Sequence, residues 1–159
     1  MAAAGWIIGI VSILVLAWMI WYFRRNAIES FSTAAPFEKM EATLVNTIQE
    51  AGWKLLSMHD IQARLVGAGF DVKRIAVYEI CRPDYAAAVL EKDTNKRFSA
   101  LMPCRISIYE MQDGTTGMSM INADLLATLF GGVVKRIMGK AASESEIIIH
   151  KAIKTAEHE

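Results

Sequence analysis

Two thiols, Cys81 and Cys104, are the side chains of this sequence best suited by type to carry chemistry. Cys81 ends a strand-like run directly before Arg82-Pro83, where an arginine charge and a helix N-terminus would each favour the thiolate. Cys104 follows Pro103 at the start of a second strand-like run, so neighbouring strands would bring both thiols to one end of a sheet. Two chemistries follow: thiol-based redox, or a soft-ligand site for Cu(I) or haem completed by methionines. The plainer alternative is that both are small buried hydrophobes, the usual fate of free cysteine. No C-x-x-C occurs, which argues against structural zinc. His59 falls in a predicted turn and His150 in the last predicted helix, each alone. There is no G-x-S-x-G, no H-E-x-x-H and no phosphate-cradling loop; Gly67 and Gly69 stand in Gly-Ala-Gly-Phe without the rest of a dinucleotide fingerprint. No catalytic residue, resident cofactor or metal is therefore predicted, and binding is expected before catalysis.

The elements that must position these groups begin with an anchor. Met1 to Phe23 contains no charged side chain and stops at Arg24-Arg25. A helix over it is roughly 34 Å long, against a hydrocarbon core of about 30 Å, so a membrane span over residues 1–25 is expected. A cleaved signal peptide fits poorly, since no lysine or arginine precedes the run and the run is too long. Arg24 and Arg25 place the following domain on the cytoplasmic side of the inner (cytoplasmic) membrane, with a periplasmic domain as the alternative. Trp18, Trp21 and Tyr22 sit where an interfacial aromatic belt would. Gly5 and Gly9 have GxxxG spacing, which permits close helix approach but equally suits a lipid-facing helix.

Residues 26–159 read as a single α/β domain with C-terminal helices, long enough to bury a core without disulfide or metal. Seventeen basic residues balance seventeen acidic ones with no basic block, which excludes a nucleic-acid footprint. Ile28 to Ser32 predicts a first strand. Pro36 opens a helix whose stripe is Phe37, Met40, Leu44, Val45 and Ile48, and Gly52 closes it. Trp53 to Met58 predicts a strand, His59-Asp60 a turn, and Asp60 the cap of a short helix over residues 61–66. Val72 to Cys81 is the longest β-type run, and Pro83 ends it and starts an alanine-rich helix. Asn122 caps a helix through Ile137 with the cations Lys135, Arg136 and Lys140 near its end; it either packs on the sheet or lies on an anionic membrane. Ser143 and Glu146 form a capping box for a last helix bearing Ile147, Ile149 and Ile153.

Cys104 to Met111 and Thr115 to Ile121 read as a hairpin turning through Asp113-Gly114. A two-residue loop would set Gln112 opposite Thr115, Tyr109 opposite Met118, Ser107 opposite Met120 and Ile106 opposite Ile121. One face would then carry Cys104, Ile106, Ile108, Ser119 and Ile121. The other, Arg105, Ser107, Tyr109, Met111, Met118 and Met120, is rich in residue types favoured at interfaces and is expected to meet another subunit, unless both faces are buried within one chain.

The segments GWKLLSMHDIQARL, YEICRPDYAAAVL and ALMPCRISIYEMQDG resemble the bacterial and archaeal family catalogued as domain of unknown function 302. The matching positions are Cys81, Pro83, Ala86 and Leu90, then Leu101, Pro103 and Cys104; Arg82 stands where the family often has Asn. The likeness spans roughly residues 28–130. It implies a β-α-β4-α domain similar to the TATA-binding-protein fold, commonly dimeric, and no DNA binding. Here that domain gains an extra C-terminal helix.

Taken together, the sequence predicts a single-span membrane protein whose domain is a non-enzymatic binding or assembly module, a dimer or an accessory subunit of a larger membrane complex. The alternative is a thiol-based redox or soft-ligand module using Cys81, Pro83, Pro103 and Cys104. A small apolar ligand held between sheet and helices is the third reading.

Overall fold

The computed structural model describes residues 2–158, with the side chains of Trp6 and of residues 9–158. Its elements are α1 (Ala2–Asn26), β1 (Ile28–Thr33), α2 (Phe37–Glu50), β2 (Lys54–Asp60), α3 (Ile61–Gly67), β3 (Ile75–Cys81) and α4 (Pro83–Leu90). There follow 3-10 turns over Asp93–Leu101, then β4 (Cys104–Glu110), β5 (Thr116–Ile121), α5 (Ala123–Ala127) and α6 (Gly132–His158).

The N-terminal run is one helix, α1, apolar on every side. Its large side chains from Ile10 to Tyr22 are each between 44% and 68% exposed, so among the described residues no other element covers them. Trp18 stacks on Tyr22 with ring centroids 5.6 Å apart, and the Arg25 guanidinium lies 5.5 Å from the Trp21 ring. Among the described residues no helix is long and apolar enough to cross a membrane. The outer part of the expected span is Met1 and the side chains of Ala2–Gly5, Ile7 and Ile8, which lie outside the described residues; so do the surroundings of Gly5. Gly9 has nothing within 4 Å of where a side chain would start.

The domain is a mixed α/β fold around a five-stranded antiparallel sheet in the order β1-β5-β4-β3-β2. α2 and α6 cover one sheet face. Met40, Leu44 and Ile48 of α2 meet Ile149 and Ala152 of α6 over Ile80, Ile106, Ile108 and Met118, all buried. Each large side chain buried there contributes about 1.5–3 kcal/mol. Pro36 stands before α2, and Gly52 at φ 76° follows it, its N–H donating to the Gln49 carbonyl at 2.9 Å. Asp60 accepts from the Ala63 N–H at 2.8 Å and starts α3, as its type predicts. His59-Asp60, expected to turn, instead completes β2, because β3 pairs with both residues.

The hairpin differs from expectation by one residue. Met111 N–H donates to the Thr115 carbonyl at 2.8 Å and Gly114 N–H to the Met111 carbonyl at 3.1 Å, leaving Gln112, Asp113 and Gly114 as a three-residue loop. Gly114 takes φ 86°, and Asp113 Oδ1 accepts from Thr115 N–H at 3.0 Å and Oγ1–H at 2.6 Å. This is a turn followed by a left-handed bulge residue, a longer hairpin solution than the two-residue one. Ile106 therefore faces Met120, Ile108 faces Met118 and Tyr109 faces Gly117. A one-residue slip moves a whole strand to the other face. Met118 and Met120, assigned by sequence to a subunit interface, are buried beneath the helices, and Met111 sits in the hairpin end.

The uncovered face carries Arg105, Ser107 and Tyr109 beside Gly117, Ser119 and Ile121. The Tyr109 ring lies flat over Gly117, where an added Cβ would come within 2.2 Å of it. Arg105 Nε and His59 Nε2 both reach Glu79 Oε1, at 3.4 Å and 3.2 Å.

The C-terminal helices also divide differently. Asn122 caps as expected, accepting from Leu125 N–H at 2.8 Å, but α5 ends at Ala127 and α6 starts afresh at Gly132, φ 59°. From there α6 runs unbroken to His158, so Ser143 and Glu146 lie mid-helix and form no capping box. Lys135, Arg136 and Lys140 consequently occupy its N-terminal half, where the helix dipole does not favour them.

Candidate functional site

The ends of β3 and β4 build the site. Cys104 opens β4 opposite Ile80, and Cys81 is the next residue along β3. Pro83, lacking an N–H, ends that strand and occupies the first turn of α4, whose Tyr85 and Ala86 N–H groups donate to the Arg82 carbonyl at 3.1 Å. Pro103, joined to Met102 by a cis bond, leads into Cys104. The ends of β3 and β4 thus lie side by side, with Pro83 and Pro103 flanking them, but strand alternation sets Cys81 in phase with Glu79 on the open face and Cys104 in phase with Ile106 on the covered one. Both thiols are free.

They border an apolar cavity of about 60 Å³ walled by Tyr85 and Val89 of α4, Phe98 and Leu101 of the 3-10 turns, and Ile137 and Met138 of α6. A second cavity of about 110 Å³ adjoins it across Leu101, Pro103, Cys104 and Met138, bounded beyond by Met120, Leu126 and Ser145. Ser145 Oγ is buried there without a hydrogen-bond partner.

The thiols are not activated. Burial, then the Asp84 carboxylate, raises the Cys81 pKa; burial, then Cys81, pushes Cys104 up to about 11. Arg82 does not favour the thiolate as its position suggested, because its guanidinium is engaged elsewhere, with Nη1 2.9 Å from Glu144 Oε2 and Nε 3.4 Å from Asp84 Oδ1. Asp84, in the first turn of α4, also opposes the helix-terminus effect on Cys81.

Sequence reasoning missed Glu144, which ties together three residues of the cavity wall. Its carboxylate accepts from Trp53 Nε1–H at 3.2 Å, Arg82 Nη1–H at 2.9 Å and Tyr85 Oη–H at 2.5 Å. Arg82 and Lys140 both stack on the Tyr85 ring, at 4.6 Å and 5.0 Å. Partial burial would raise the Glu144 pKa, but the hydrogen bonds from Tyr85, Arg82 and Trp53 outweigh it and hold it below the usual range. No local signal marks a mid-helix glutamate whose partners lie 59 to 91 residues away. Glu144→Ala should cost about 1.5–3 kcal/mol in urea unfolding, since three donors lose a charged acceptor. Glu144 stabilises fully above its ordinary value of 4.5 and progressively less as pH falls through the lowered one, so Glu144→Gln should flatten the acid limb of the stability profile.

Among the described residues no group of three or more His, Cys, Asp or Glu is placed to hold a metal. The expected interface residues do not form one patch, since Arg105 and Tyr109 share the open face while Met118 and Met120 are internal.

Residues 29–156 match the family described as "Domain of unknown function DUF302". A protein of Aquifex aeolicus (strain VF5), described as "Uncharacterized protein", is 26% identical over 121 residues, covering 76% of this chain and 74% of its own. The crystal structure of an uncharacterized conserved DUF302 protein from Bacillus stearothermophilus superposes with a TM-score of 0.71 at 19% identity, over 79% of this chain and 98% of that one, a likeness of fold.

Proposed function

This chain belongs to the DUF302 family, and from that premise we propose that it is a membrane-anchored, non-enzymatic binding module with the sulfur-lined cleft as its binding site. The observation that carries the anchor is α1, 25 residues of helix whose described apolar side chains are exposed, with no partner surface among the described residues. At 1.5 Å per residue it is about 37 Å long, sufficient for the hydrocarbon core. Arg24 and Arg25 favour a cytoplasmic domain at the inner membrane. The domain acts as a dimer or as an accessory subunit of a larger membrane complex, through the open sheet face with Ile28, Arg105, Tyr109 and Ile121. With the short helices set aside, the element order β1-α2-β2-β3-β4-β5-α6 supports a β-α-β4-α arrangement similar to the TATA-binding-protein fold, with the long α6 as its closing helix and no further helix after it among the described residues. No nucleic acid and no resident cofactor enter this reading. Thiols held in their protonated form are poor nucleophiles, which supports binding over thiol catalysis.

After gentle lysis the intact chain is expected in the high-speed pellet, released by mild detergent and seen by native mass spectrometry as a dimer or larger complex. Recovery in the detergent-free supernatant would refute the anchor, and a lone monomer would refute the assembly.

A further inference from the structure

The wall of the second cavity carries one polar group that the fold leaves without a partner. Met138, Ala142 and Ser145 follow one another at spacings of four and three along α6, so their side chains share one helix face, and all three border that cavity. Ser145 is 3% exposed, and its Oγ is buried with no hydrogen-bond partner, not even the carbonyl one turn back that a helical serine can use. An unmade buried hydrogen bond costs stability unless something outside the chain completes it. Water suits the position poorly, because a buried water needs about two to four polar partners. The other polar side chains at this cavity are the weakly polar Cys104 thiol and Arg105, whose Nε lies 3.4 Å from Glu79 Oε1 on the open sheet face.

The cavity also lies at the sheet end from which the anchor leaves. Asn122 N–H donates to the Ala27 carbonyl at 3.0 Å, which ties the residue after α1 to the start of α5. Ala123 and Leu126 of α5 border the cavity, as do Leu101 and Ile121, both exposed. We infer that the two adjoining cavities hold one uncharged, mostly apolar molecule drawn from the membrane, whose single hydroxyl or carbonyl oxygen accepts a hydrogen bond from Ser145. This rests on the reading of the cleft as a binding site. Cavities of about 60 and 110 Å³ together resemble the roughly 150 Å³ cavity that holds benzene, which sets the enclosed part at about six to eight carbon atoms. The ligand is neutral because, among the described residues, neither cavity offers a free cation. Arg105 is held by Glu79, and Arg82, at the first cavity, by Glu144 and Asp84. A carboxylate would enter unpaired, at a cost that an apolar lining does not offset. Met120 and Met138, unbranched and adaptable, share the wall with Ser145 and yield to the entering oxygen.

The test places the full chain in phosphatidylcholine nanodiscs and irradiates it with the photoreactive alcohol 3-azioctanol, the adducts being mapped by peptide mass spectrometry. Saturable labelling should fall on α5 and on α6 around Met138 and Ser145. Excess 1-octanol should suppress it, and n-octane at the same mole fraction in the lipid should compete about tenfold more weakly, since it offers no oxygen. Ser145→Ala should weaken competition by 1-octanol about tenfold while leaving the urea midpoint unchanged or higher, because the lost hydroxyl has no partner within the chain. Ala142→Met, which fills the second cavity, should remove the labelling. Octane competing as well as octanol, or Ser145→Ala binding octanol undiminished, would overturn the inference and still leave the cleft as a binding site. Labelling confined to α1, or labelling of α5 and α6 that does not saturate, would overturn both.

Discussion

Met118→Lys unfolds the domain, while Ser119→Lys, one residue further along the same strand, is tolerated. Met118 is fully buried between Phe31 of β1 and Ile108 of β4, beneath the helices in the apolar core. An unpaired charge there costs more than about 4 kcal/mol, at the top of the range for single substitutions. Ser119 pairs with Ser30 and Ser107 on the uncovered face, so its replacement should change stability by less than about 1 kcal/mol. Urea unfolding of the two variants in detergent reads the difference. The reverse order would restore the two-residue hairpin turn and with it the methionine-rich outer face.

Cys104 alkylates sluggishly in the folded chain near neutral pH and rapidly once the chain is denatured. Its thiol is pushed from 9.0 up to about 11 by burial, then by Cys81. That difference lowers the thiolate fraction by about a hundredfold, of which the greater nucleophilicity of a more basic thiolate restores about tenfold. About tenfold slowing remains before restricted access is counted. The linkage runs the same way: above pH 9.0 the unfolded thiol ionises while the folded one keeps its proton, so stability falls as pH rises toward 11. Iodoacetamide labelling followed by mass spectrometry, repeated across pH, checks both arms. Equal rates in the folded and denatured states would show that burial does not hold the Cys104 thiol in its protonated form.

Much of the fold was legible because its signals are local. The 3–4 stripe of α2, the Asp60 and Asn122 caps and the proline opening α4 each depend on a few consecutive residues, and each stands where its chemistry puts it. The β runs also placed both cysteines at one end of the sheet. The hairpin register was not legible, since Asp-Gly suits either a two-residue turn or the end of a three-residue one. Burying Met118 and Met120 with Ile106 and Ile108 on one face selects the longer loop. α6 continues through Gly139, where an added Cβ would lie 2.6 Å from Asp124 Oδ1 of α5 and oblige that carboxylate to shift.

From its sequence alone this protein drew an all-round apolar N-terminal helix, the positions of its caps and most of its strands, and the juxtaposition of two thiols. Those follow from side-chain type and short-range periodicity. Tertiary structure decided which sheet face is inside, that Glu144 gathers Trp53, Arg82 and Tyr85, and that burial holds the thiols neutral. Each of these is a sum over contacts distant in sequence, where burial and partner charges outweigh what any residue prefers by itself.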